Sequence, residues 1–126
     1  MKKTSPYGKE LILDLHHCDV SLFNRKSIRD YFEQLCALID MEACDLHFWD
    51  DVDVPEEDRQ TDPRTKGTSA IQFIITSNIT IHTLDLLGAV YVNLFSCKTF
   101  DADKATTFTV EWFKGQVVNR VEVARQ

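Results

Sequence analysis

Leu11, Leu13 and Leu15 alternate with Glu10, Ile12 and Asp14, and a period of two places the three leucines on one face of a strand over 10–16. Asp14 and Ile12 share the opposite face. Past His16 the period changes. Asp19 and Ser21 offer capping side chains, and Ile28, Tyr31, Phe32, Leu35, Leu38 and Ile39 follow the i, i+3, i+4, i+7 rule, which predicts a helix from there to about residue 41. Cys36 lies beside that stripe and reads as a packed thiol. A second strand is expected over 44–49. Residues 50–67 carry an acidic cluster, Pro55, Pro63 and Gly67, which interrupt regular structure, so this is the one long loop. Strands over 69–76 and 78–83 follow from their β-branched and aromatic content. Another is expected over 88–96, with 84–87 as its connection. Asp101 can cap a second helix with Asp103 in its first turn, Phe108 and Trp112 form an i, i+4 pair, and Gly115 is a plausible stop. An alternating strand over 116–123 closes the chain.

The predicted order is β-α-β-β-β-β-α-β. Each helix has one apolar stripe to bury, so the economical solution is an α+β two-layer sandwich, with one mainly antiparallel sheet and two helices on one face. At 126 residues the chain is a single domain with one core. Nothing remains to cover the other sheet face, which predicts a face-to-face homodimer or a higher assembly built on it.

Composition adds exclusions. No apolar run approaches the roughly 18 residues of a bilayer span, and no apolar stretch follows the basic start of the chain, so neither an anchor nor a signal peptide is read. A cytoplasmic protein is expected. Cys18, Cys36, Cys44 and Cys97 are read as free thiols, in keeping with a reducing compartment. The net charge of −6 resides in residues 1–67, which hold fifteen acids and nine bases, while 68–126 hold five of each. An acidic chain without a basic stripe excludes nucleic acid as the expected partner. It suits a cationic small molecule, although the acidic run at 50–62 also reads as a solvated loop. His16, His17, Cys18, Cys44 and His47 do not form recognised ligand pairs, and no metal site is expected.

The candidate chemistry lies in Ser77-Asn-Ile-Thr-Ile-His82-Thr, with Cys97 closing Leu-Phe-Ser-Cys twenty residues after the serine. Taken singly, Ser77 reads as a strand-end hydroxyl, His82 as a strand histidine and Cys97 as a small core residue. Strict alternation also puts Ser77 and His82 on opposite faces, so a bulge or a chain break is needed to unite them. Together, the Ser/His/Cys spacing and the Ile-His-Thr and Leu-Phe-Ser-Cys runs resemble the self-processing core of the small prokaryotic S-adenosylmethionine decarboxylases. The run from Gly8 to Asp19 resembles that family's opening strand, with Gly8, Asp14, Cys18 and Asp19 at expected places and Glu10 where histidine is usual. The likeness covers 8–19 and 67–100 well, and the helices only by pattern.

The resemblance implies self-cleavage between Thr76 and Ser77, giving chains 1–76 and 77–126, with Ser77 converted to a pyruvoyl cofactor. It implies that Ser69 supports this processing, that His82 supplies a base, and that Cys97 donates a proton during decarboxylation, as part of polyamine biosynthesis. The chemistry is sensible: removing a carboxylate from an α-amino acid leaves a carbanion that needs an electron sink, and a carbonyl provides one. Asp14, and more weakly Asp85, are expected to touch an amino-acid-type substrate.

Three positions depart from the family pattern. Thr76 replaces glutamate, Asn78 replaces histidine, and Leu84-Asp85-Leu86 stands where relatives read Trp-Pro-Glu, whose aromatic stacks on adenine and whose carboxylate holds the ribose. Leucine cannot stack a π face or accept hydrogen bonds from a diol. Trp49 or Phe48 is an alternative source of an aromatic. Two other readings therefore stand beside S-adenosylmethionine: the same chemistry on arginine or ornithine, and an unprocessed regulatory homologue.

Overall fold

The computed structural model describes residues 5–126; the first four residues of the basic start lie outside the described residues. Six strands, β1 (Gly8–His16), β2 (Ala43–Trp49), β3 (Gly67–Ile74), β4 (Ser77–Leu84), β5 (Ala89–Ser96) and β6 (Gln116–Arg125), form one sheet. Their spatial order is β2-β3-β4-β5-β1-β6, every neighbouring pair antiparallel. Helices α1 (Arg25–Leu38) and α2 (Ala102–Phe113) cover one face. The α+β sandwich expected from the periodicities is the observed fold. No helix among the described residues is long and apolar enough to cross a membrane.

Alternation in the sequence builds the core directly. Leu11, Leu13 and Leu15 of β1, Ile79 and Ile81 of β4, and Val90, Val92 and Leu94 of β5 are all buried in one cluster with Ile28, Tyr31, Phe32 and Leu35 of α1 and Ala105 and Phe113 of α2. Tyr31 sits at the centre, its ring 5.0 Å from that of Phe113 and 5.8 Å from that of Phe108. Its hydroxyl shares a 2.7 Å hydrogen bond with Thr109 Oγ1, which satisfies a polar group that burial would otherwise penalise.

Helix boundaries differ from the expectation. Asp19 caps only a single turn at Val20–Leu22, accepting from the Ser21 N–H. Phe23 then buries against Phe113, and α1 starts afresh from Asn24, whose Oδ1 accepts from the Ser27 N–H at 2.9 Å. Leu38 is exposed, and Ile39 takes the core position at the end of α1. After α2 the left-handed residue is Lys114 (φ 55°), not Gly115. Gly115 is needed for space instead, because a Cβ there would fall 2.5 Å from Cys18 Sγ.

Among the described residues, the opposite face of the sheet carries no helix. Ile71, Phe73, Val121 and Val123 project from it, partly exposed. Strand β6 is exposed along its whole length and forms a free sheet edge.

Candidate active site

Ile74 pairs with Ser77, so β3 and β4 are joined by the two-residue link Ile75-Thr76. Thr76 is held at φ 55°, a left-handed conformation that a β-branched residue adopts only under strain. Ser77 follows as the first residue of β4, its side chain buried on the same face as Ile79 and Ile81. Its Oγ accepts from the Cys97 N–H at 3.0 Å and lies 3.7 Å from Cys97 Sγ. Thr76 Oγ1 lies 2.9 Å from the same sulfur. Hydrogen bonds from Thr76 and then Ser77 hold the Cys97 thiol below its ordinary pKa, because donors to sulfur favour the thiolate. A cavity of about 570 Å³ opens beside this turn, lined also by Asp40, Glu42, Met41 and Lys98. Lys98 and Asp40 form an ion pair of 3.1 Å at its rim.

Ser69 and His82 form a second group. Ser69 Oγ lies 2.8 Å from His82 Nδ1, and the two are direct cross-strand partners on the uncovered face. β4 keeps an unbroken register with both β3 and β5. No bulge therefore brings His82 round to Ser77. Within one chain they occupy opposite faces, about 16 Å apart along the strand.

The register draws further residues into line with His82. Trp49 pairs with Ser69, Ser69 with His82, His82 with Tyr91, Tyr91 with Asp14, and Asp14 with Asn119. All six side chains share the uncovered face, and Asn119 Nδ2 donates to Asp14 Oδ2 at 3.2 Å. Asp14 thus belongs to the His82 row and not to the Ser77 turn. Asp85 is placed elsewhere. It follows β4 at the end remote from Ser77, where it lines a cavity of about 550 Å³ on the helix side with Asn24, Asp51 and Lys66. Its Oδ1 is buried without a hydrogen-bond partner, and burial raises its pKa against the opposing pull of Lys66.

Reading the sequence did not place Tyr91 or Trp49 beside His82, since only cross-strand register does so. Alternation along β2 was the available signal for Trp49: Leu46 and Phe48 pack on the core, which sends His47 and Trp49 to the other face.

Comparison with known proteins bears on this arrangement. A search of curated proteins finds no matching relative. Among solved structures the chain is similar to the adenosylmethionine decarboxylase of Aquifex aeolicus VF5, with a TM-score of 0.74 at 16% identity over 97% of this chain and 92% of that one; at that identity the likeness speaks for the fold. A family profile described as S-adenosylmethionine decarboxylase matches residues 9–126. Both groups, the Ser77 turn and the His82 row, fall inside that span, and the chain belongs to the S-adenosylmethionine decarboxylase family.

Proposed function

We infer that this chain is a decarboxylase of S-adenosylmethionine that works through a pyruvoyl group made from its own Ser77. Family membership supports the reaction. The observation that carries the cofactor is the Thr76-Ser77 peptide itself, held in a strained two-residue turn with a serine hydroxyl and a cysteine thiol against it.

Ser77 Oγ attacks the carbonyl carbon of Thr76, a C–O bond forms and the Thr76–Ser77 C–N bond breaks, leaving an ester and a free Ser77 amine. Loss of the Ser77 α-proton expels the Thr76 carboxylate and leaves dehydroalanine. Water replaces its nitrogen, ammonia departs, and a carbonyl remains at residue 77. That carbonyl supplies the electron sink when the substrate's carboxylate leaves. Releasing Thr76 from a left-handed conformation favours the cut by roughly 1–3 kcal/mol. The residues around the turn suit such a group: the neighbouring cavity is open to a small molecule, and Cys97 stands beside position 77 to hold or deliver a proton.

His82 and Ser69 enter the reaction from a second copy of the chain in this reading. They face outward from the uncovered sheet face, and a face-to-face homodimer would turn that face of each protomer toward its partner. The partly exposed Ile71, Phe73, Val121 and Val123 supply apolar surface for such a dimer.

Intact mass of the purified protein tests the proposal. Fragments corresponding to 1–76 and 77–126 are expected, replaced by one full-length species in Ser77→Ala. CO₂ release is expected from S-adenosylmethionine, and not from arginine or ornithine. An uncut, active wild-type chain would remove the pyruvoyl mechanism; turnover of arginine or ornithine alone would remove the substrate.

A further inference from the structure

Cleavage creates a charge that the uncut chain does not carry. When the ester between Thr76 and Ser77 opens, Thr76 becomes a chain end bearing a carboxylate, and it does so against the cavity of about 570 Å³ beside the turn. Two acids, Asp40 and Glu42, already line that cavity, and Lys98 is the one base among the described residues that line it. A new anion there meets like charge from the acids and opposite charge from Lys98 alone.

The backbone places Lys98 for this task. Its N–H donates to Ser96 Oγ at 2.9 Å, and Ser96 Oγ donates to its carbonyl oxygen at 2.7 Å, which fixes the loop at the end of β5. The preceding residue holds both sides of the scissile bond: the Cys97 N–H donates to Ser77 Oγ, and Cys97 Sγ meets Thr76 Oγ1. The side chain of Lys98 is engaged elsewhere, but loosely. Its Nζ donates to the Asp40 carbonyl oxygen and pairs with the Asp40 carboxylate at 3.1 Å. That carboxylate is 97% exposed and the lysine side chain 53% exposed, so water screens the pair and little holds it together. The flexible lysine stem lets the ammonium exchange one carboxylate for another.

We propose, on the cleavage reading above, that Lys98 is a catalytic residue of self-processing, which leaves Asp40 to stabilise the Thr76 carboxylate as that group departs from Ser77. In the ester, the Ser77 Cβ–O bond is the one that breaks. Loss of the Ser77 α-proton forms the carbon–carbon double bond of dehydroalanine, and the electron pair of the broken bond goes to the Thr76 carboxylate. Full negative charge develops only as this bond breaks, so a neighbouring ammonium lowers the transition state more than the ester. Before the ester forms, Lys98 is committed to Asp40, and its effect falls on the second step.

The two steps can be read separately. The ester has the mass of the intact chain but is opened by hydroxylamine, which the uncut amide resists. Precursor made by cell-free synthesis is followed with time by intact mass, with and without hydroxylamine. Lys98→Met, which keeps the stem and removes the charge, should accumulate the hydroxylamine-sensitive species and slow its conversion to 1–76 and 77–126 about ten- to hundred-fold. Lys98→Arg should restore most of that rate. Asp40→Asn, which removes only the competing carboxylate, should convert at least as fast as the wild type. Three results would overturn the proposal: Lys98→Met converting at the wild-type rate; Lys98→Met remaining uncut and resistant to hydroxylamine, which would place the lysine before the ester; or Asp40→Asn slowed as much as Lys98→Met, which would make the pair a brace for the turn. A wild type that yields no fragments, with or without hydroxylamine, fails the cleavage reading and removes this role with it.

Discussion

Cys97 is held by two hydroxyls that the inferred cleavage removes from it. In the uncut chain, Thr76 and Ser77 both favour its thiolate. After cleavage the Ser77 oxygen has left with the Thr76 carboxylate and the Thr76 hydroxyl sits on a free chain end, so the thiol returns toward its ordinary, protonated range. A thiolate is useless as a proton donor, and a thiol is what protonation of a carbanion needs. The first half of this can be measured. In an uncut Ser77→Ala chain, alkylation of Cys97, followed by peptide mass, should show its midpoint below that of an ordinary thiol, and adding Thr76→Val should move the midpoint upward. Valine keeps the shape and the backbone demand of threonine and lacks only the donor. An unchanged midpoint would show that Thr76 does not hold the sulfur. At this scale much was legible. Strict alternation already set Ser77 and His82 on opposite faces, and no bulge intervenes. What no local pattern could give is the approach of Thr76 to Cys97, twenty-one residues apart, which comes from the pairing of β4 with β5.

Among the elements, β4 carries the division of the site: one end starts the strained turn, the middle faces outward with His82, and the far end leads to Asp85. That last carboxylate has an oxygen buried without a partner, and burial raises its pKa. A raised folded-state pKa means that the folded protein binds the proton more tightly than the unfolded chain. Stability is therefore favoured at low pH and declines as pH rises from the unfolded value of 3.8 through the folded one. Asp85→Asn, which removes the charge, should raise Tm by a few degrees at pH 7 and by much less below that window. Equal gains at both pH values would point to packing and not ionisation. The strands and their core faces were legible because alternation is a local signal. The start of α1 was not: Asp19 and Asn24 are both good caps, and the burial of Phe23 between them, a tertiary contact, decides which one begins the long helix.

For the whole molecule, the uncovered face is the organising fact. It carries Ser69, His82 and Asp14 but not Ser77, so one chain holds two incomplete halves under the proposed mechanism. Complementation reads this directly. His82→Ala and Ser77→Ala chains should each stay uncut alone, while co-expression should produce fragments 1–76 and 77–126 from the His82→Ala chain only. Cleavage of His82→Ala by itself would show that the histidine is dispensable for processing; no cleavage in the mixture would place the whole reaction within one chain. What was legible here is the missing layer: the described residues supply only two α-helices, both on one face, and the proposed dimer is the answer to the other. β3 and β4 meet at a tight two-residue link. Eight residue pairs hold those strands together, so a cut at their junction leaves the native architecture standing while it erases the covalent instruction for rebuilding it. Before the cut, folding is a first-order search within one chain. Afterwards, the two pieces must find each other, and recovery from denaturation depends on their concentration. The mature protein would be a one-way product, assembled once from a precursor and poorly equipped to regain its shape when it is lost.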